Sequence, residues 1–146
     1  MAQVENRTLR EIMTKDLATV TLKDNVYEAA CKMRDWDVGM IPVVDEKNDV
    51  IGVITDRDIV IRGLAEKREG SAAIEQVMTK DIVLGNPEMT VDEAAKIMAN
   101  HQIRRLPVVE NGKLVGIVAI ADMAVRQVHH DEASDAIYEI SRPSMH

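Results

Sequence analysis

Met13-Thr14-Lys15-Asp16 and, 65 residues later, Met78-Thr79-Lys80-Asp81 are the same four residues, and this echo decides how the chain is organised. The same offset carries Val26, Glu28, Ala29, Ala30 and Met33 onto Val91, Glu93, Ala94, Ala95 and Met98. It also carries Pro42-Val43-Val44 onto Pro107-Val108-Val109, so that 12 of the 33 positions in 13–45 are identical in 78–110. One residue is lost in the next turn. An offset of 64 then aligns Val50-Ile51-Gly52-Val53-Ile54 with Leu114-Val115-Gly116-Ile117-Val118, and Asp58 with Asp122. Ordered agreement over this length is a duplication.

Each copy follows one grammar. Val26, Ala29, Ala30 and Met33 fall at i, i+3, i+4 and i+7, which makes one apolar helix face, and Val91, Ala94, Ala95 and Met98 repeat it. Asn25-x-x-Glu28 and Thr90-x-x-Glu93 are capping arrangements ahead of those faces. A β-rich segment follows, Met40 to Val44 or Arg105 to Val109, with a proline expected at a strand start or on an edge because it cannot donate to a ladder. The turn Asp45 to Asp49, or Glu110-Asn111-Gly112-Lys113 with its Asn-Gly hairpin signal, leads to a second strand interrupted by glycine. A last helix begins at Asp56 or Ile120. The expected fold class is α/β (α+β). It consists of two β-α-β-β-α units, each too small to bury its own faces, packed sheet to sheet with pseudo-two-fold symmetry. The expected boundaries are 8–70, 74–132 and a C-terminal helical tail, 133–146; residues 63–76 read as a partly helical connector.

Composition narrows the class of function. The chain has 146 residues, 18 basic against 25 acidic, and a formal net charge of -7. That balance disfavours nucleic acid and anionic membrane as partners, so an anionic ligand needs a local basic pocket. The single cysteine, Cys31, permits no internal disulfide, no apolar run approaches a membrane span, and residues 1–8 carry no apolar signal core. A cytoplasmic location is expected. No nucleophile-base set, Walker glycine loop or metal-protease motif is present, so catalytic residues are expected to be none. His129-His130 with Asp131 and Glu132 is a loose metal-like cluster. Adjacent histidines on a helix diverge, and no metal is expected there. His101 reads as a helix-end dipole partner and Cys31 as a packed or surface thiol.

The Met-Thr-x-Asp opening, Ile41-Pro42-Val43-Val44, and Gly52-Val53-Ile54-Thr55-Asp56-Arg57-Asp58 together resemble a known family. The second copy renders the last element as Gly116-Ile117-Val118-Ala119-Ile120-Ala121-Asp122. Over roughly 12–128 the chain is similar to two cystathionine-β-synthase-type (CBS) domains in tandem, a Bateman module. The resemblance implies an adenosyl ligand (AMP, ADP, ATP or S-adenosylmethionine) in the clefts between the units. It also implies a flat homodimer and, with no effector domain in the chain, an output through an effector protein.

The site residues carry two readings each. By the resemblance Asp58 and Asp122 accept hydrogen bonds from ribose hydroxyls, as acidic groups do in other nucleotide sites. Otherwise each is a first-turn carboxylate, with Thr55 as N-cap of a Thr-x-x-Asp box. The turn after Gly52 also offers free N–H groups and the Thr55 hydroxyl to phosphate. Ala119 has no hydroxyl, so unequal affinities are expected. Arg104 and Arg105, where copy one has Gly39 and Met40, supply either phosphate contacts or an exposed basic edge, and neighbours on a strand point oppositely. Arg57 is a ligand contact or a solvated side chain. Ile41-Pro42 and Leu106-Pro107 cover an adenine face or are plain core. The rival function is a constitutive homodimerisation scaffold with degenerate pockets.

Overall fold

The computed structural model describes residues 7–124. The tail 133–146, expected to be helical, and His129-His130, where no metal is expected, lie outside the described residues. Helix α1 (Leu9–Ile12) is followed by α2 (Val26–Trp36), strands β1 (Met40–Val44) and β2 (Val50–Thr55), and the short α3 (Asp56–Asp58). A π-helical turn, Ile59–Gly63, and 3-10 turns at Leu64–Glu66 and Ile74–Gln76 come next. The second copy provides α4 (Val91–His101), β3 (Arg105–Glu110), β4 (Lys113–Ala119) and α5 (Ile120–Ala124). β1 pairs with β2 and β3 with β4, giving two two-stranded sheets in a mixed helix-and-strand fold.

Local chemistry builds these elements as their sequences imply. Asn25 Oδ1 accepts from the Glu28 N–H at 2.8 Å while Glu28 Oε1 accepts from the Asn25 N–H at 2.9 Å, closing the box that starts α2. Thr90 and Glu93 do the same for α4 at 3.2 and 2.9 Å. Both helices stop at a left-handed residue in matching positions, Asp37 (φ 55°) and Gln102 (φ 54°). Asn111 (φ 54°) and Gly112 (φ 83°) form the second hairpin turn with the two positive φ values that a type I′ turn needs.

The described chain forms two compact units that do not coincide with the two sequence copies. Unit I contains 7–16, 83–110 and 115–124, and unit II contains Leu17–Ile82 and Asn111–Leu114. The opening segment of copy one therefore belongs with the strands of copy two. Thr14 exchanges backbone hydrogen bonds with Ile117, its N–H donating at 2.9 Å and its carbonyl accepting at 3.0 Å. Reciprocally, Thr79 of copy two exchanges them with Val53 of copy one, at 2.8 and 2.9 Å.

This exchange accounts for the strand glycines. A Cβ on Gly52 would meet the Thr79 carbonyl oxygen at 2.7 Å, and one on Gly116 would meet Met13 Sδ at 2.5 Å. The opening segments cross the second strands at points where a side chain has no room.

Six residues after each crossing the chain makes a parallel bridge to the first strand of the other unit, Val20 to Val43 and Gly85 to Val108. Pro42 and Pro107 accept from the Val20 and Gly85 N–H groups at 3.1 and 2.8 Å. Each proline is the third residue of its strand rather than the first. It is tolerated because that flank carries only an isolated bridge, so the missing N–H breaks no ladder.

Each unit has its own core. In unit I, Val91, Ala94, Ala95 and Met98 of α4 are all buried, packed with Leu106 and Leu9. In unit II, Val26, Ala29 and Met33 of α2 are buried with Ile41 and Ile54, and Ile74 of the connector joins them. Burying a side chain of this size contributes roughly 1.5–3 kcal/mol. These cores hold rigid the strand-to-helix turns on which the candidate site residues lie.

Candidate functional site

In unit II the second strand runs directly into α3, and Thr55 is the cap. Its Oγ1 accepts from the Asp58 N–H at 3.0 Å, and Asp58 Oδ2 accepts from the Thr55 N–H at 3.0 Å. Asp58 is only 8% exposed, the one buried charged residue among those described. A buried carboxylate needs hydrogen-bond donors, and a second comes from outside the turn. The Thr79 hydroxyl lies 3.1 Å from both Asp58 oxygens.

The turn was expected to offer open N–H groups to a phosphate, and here the structure corrects the expectation. The Asp56 N–H donates to the Gly39 carbonyl at 2.9 Å. The Arg57 N–H donates to Asp56 Oδ1 at 2.8 Å, and the Asp58 N–H is taken by Thr55. Side chains that follow the strand have closed the first turn on itself.

Unit I has the same backbone hydrogen bond with fewer side-chain hydrogen bonds at its turn among the described residues. The Ile120 N–H donates to the Arg104 carbonyl at 3.0 Å, the counterpart of the Asp56–Gly39 bond. The Ala119 N–H donates to Asp122 Oδ2 at 3.3 Å, a longer contact than the 3.0 Å bond in copy one, and Ala119 has no side-chain oxygen to return to the Asp122 amide. Asp122 is half-buried. Thr14, the counterpart of Thr79, is exposed, and among the described residues its hydroxyl makes no bond to Asp122.

The other sequence-derived candidates divide between the surface and the cores. Arg57 and Arg104 are exposed, Arg105 is half-buried at the start of β3, and none of the three forms an ion pair among the described residues. Gly39 and Met40 are half-buried. Ile41 and Leu106 are 0% exposed and sit in the two cores, with Pro42 and Pro107 buried beside them. Gly39, Thr55 and Asp58 therefore converge in unit II, while Arg104, Ala119 and Asp122 converge in unit I. Thr79 was not among the expected site residues. Its signal was available, because Met-Thr-x-Asp occurs twice, but the motif alone does not say which strand it joins.

A cavity of about 430 Å³ in unit II lies at the far end of the first hairpin, lined by Thr21, Lys23, Asp45 and Asp49 among others. It includes none of the candidate residues, and the chemistry of the Asp58 turn is the better guide to function. Among the described residues no group of three or more His, Cys, Asp or Glu side chains is placed to hold a metal. None of their helices is long and apolar enough to cross a membrane.

Comparison with known proteins places this geometry in context. The CBS-domain profile matches residues 9–64 and 74–128. The CBS domain-containing protein YhcV of Bacillus subtilis is 42% identical over 139 residues, covering 95% of this chain and 99% of that protein. The crystal structure of hypoxic response protein I with two coordinated zinc ions is 35% identical with a TM-score of 0.73, covering 80% of this chain and 96% of that one. The CBS domain pair of protein MJ0100, solved in complex with 5′-methylthioadenosine and S-adenosyl-L-methionine, is 29% identical with a TM-score of 0.72 and covers 80% of this chain and 92% of that one.

Proposed function

The chain belongs to the CBS-domain family, and from that premise we propose that it is a regulatory module that binds an adenosyl ligand and has no catalytic activity of its own. The ligand is AMP, ADP, ATP or S-adenosylmethionine, held through its ribose hydroxyls by Asp58 and, more weakly, by Asp122. The observation that carries this reading is the persistence of the carboxylate where the other half of the capping box has been lost. Ala119 has removed the reciprocal cap, yet Asp122 remains at the position of Asp58. A related CBS pair in complex with two adenosyl compounds supports the ligand class. Arg104 and Arg105, without internal ion pairs among the described residues, supply the local positive charge that a chain of net charge -7 needs for a phosphorylated ligand.

Binding regulates by preferring one arrangement of the chain over another, through differential affinity for the two. The output passes to an effector protein, and the acting form is a homodimer. Val60, Ile61 and Leu64, 49–73% exposed on consecutive turns, support an apolar contact with a second copy.

Isothermal titration with AMP, ATP and S-adenosylmethionine, alongside melting curves, tests the ligand reading. Heat of binding and a raised melting temperature with at least one compound are expected. Silence with all three would transfer the function to a constitutive homodimerisation scaffold. The observation favouring that alternative is the first turn of α3, whose three amides are already satisfied within the protein.

A further inference from the structure

A capping carboxylate needs only one oxygen for its task, and in Asp58 that oxygen is Oδ2, which receives the Thr55 N–H. The Thr79 hydroxyl adds something the cap does not require. At 3.1 Å from both oxygens, its single proton is shared across the carboxylate, and together with the Thr55 N–H it fixes the plane of the group. A carboxylate has room for about four hydrogen bonds, so two donors leave acceptor capacity, most of it on Oδ1.

Thr79 is itself held without slack. Its backbone is paired with Val53 at 2.8 and 2.9 Å, its carbonyl lies over Gly52, and Arg62 Nη1 donates to the neighbouring Met78 carbonyl at 2.9 Å. Backbone pairing alone does not produce the contact, because Thr14 pairs in the same way with Ile117 and, among the described residues, makes no hydroxyl bond to Asp122.

We propose that Thr79 is a positioning residue of the Asp58 site, a hydroxyl supplied by the second sequence copy that orients the carboxylate of the first for a ribose diol. The inference rests on the adenosyl-binding reading above. Thr79 lies four residues before Val83, where the chain passes from unit II into unit I.

The test is isothermal titration of the wild type, Thr79→Val and Thr79→Ser with AMP, ATP and S-adenosylmethionine, and with 2′-deoxy-AMP and 2′-deoxy-ATP as probes that lack the diol. Thermal melting confirms that each variant is folded. Thr79→Val, which keeps the shape and removes the hydroxyl, is expected to weaken binding about tenfold, and Thr79→Ser to stay within about threefold of wild type. Wild type and the serine variant should prefer AMP or ATP to its 2′-deoxy form by about tenfold or more, and the valine variant should lose that preference. A valine variant with wild-type affinity, even at a lowered melting temperature, would make Thr79 purely structural and overturn the inference alone. A wild type that binds none of the three ligands would remove the adenosyl reading itself, and this inference with it.

Discussion

The turn Thr55–Asp58 and the turn Ala119–Asp122 descend from one ancestral sequence and have diverged in how tightly they hold the same acid. In the first, Asp58 is 8% exposed and receives donors from Thr55 and Thr79. In the second, Asp122 is half-buried and receives one among the described residues, at 3.3 Å. The backbones remain equivalent, with Gly39 and Arg104 tying the strand start to the helix start in the same way. Duplication thus preserved the scaffold while side chains differentiated the sites. A pre-ordered carboxylate loses less freedom on binding, so the tighter site is expected in unit II.

The largest expected effect probes the crossings beneath the two turns. Gly52→Ala drives a methyl against a backbone carbonyl that cannot rotate away, whereas at Gly116 the obstruction is the flexible side chain of Met13. Gly52→Ala should cost about 2–3 kcal/mol in urea unfolding and Gly116→Ala about 1 kcal/mol less. Equal costs would mean that the two crossings are energetically alike despite their different neighbours.

Next in size are the acids themselves. Asp58→Ala should weaken adenosyl binding by about 1–3 kcal/mol, and Asp122→Ala by about 1 kcal/mol or less, both measured by titration calorimetry. Reversal of that order would refute the ranking of the two sites. Unchanged affinity with lowered stability in Asp58→Ala would reduce it to a cap.

Smaller again are the caps. Thr55→Ala should destabilise by about 0.5–2 kcal/mol, and Ala119→Thr should stabilise by up to about 1 kcal/mol by restoring the missing partner of the Asp122 amide. Melting curves of the pair decide whether the cap alone separates the turns.

The smallest effect is one of pH. Hydrogen bonds from the Thr90 backbone and hydroxyl hold the Glu93 carboxyl below its usual value of 4.5. A lowered folded-state value means that its contribution is complete above pH 4.5 and is lost as the pH falls through the folded-state value. Urea midpoints taken across that acid range should fall less steeply in Glu93→Gln than in wild type.

Much of the fold could be read from the chain. The duplication, both capped helices, both hairpins and the Asn-Gly turn follow from interactions within a few residues, and all appear where the residues put them. The last helix of copy one departs from the simple reading. Thr55 caps only three α-helical residues before the π-helical turn Ile59–Gly63 begins. The site was legible in part. Asp58 and Thr55 are where the repeat pointed, while Ile41 and Leu106 could have been an adenine wall or core, and burial at 0% shows that they are core. Hydrophobicity alone cannot separate those roles, since both require an apolar side chain beside a strand.

What sequence determined without help is everything governed by local periodicity and capping: two copies of one helix-and-hairpin unit, each ending in an acid. Only tertiary structure decided which hairpin each opening segment joins. Met13-Thr14 and Met78-Thr79 are identical, and both second strands carry the glycine that admits them, so either pairing is written equally well in the chain. The choice rests on non-local backbone hydrogen bonds and packing, and it places a hydroxyl from one copy on the carboxylate of the other.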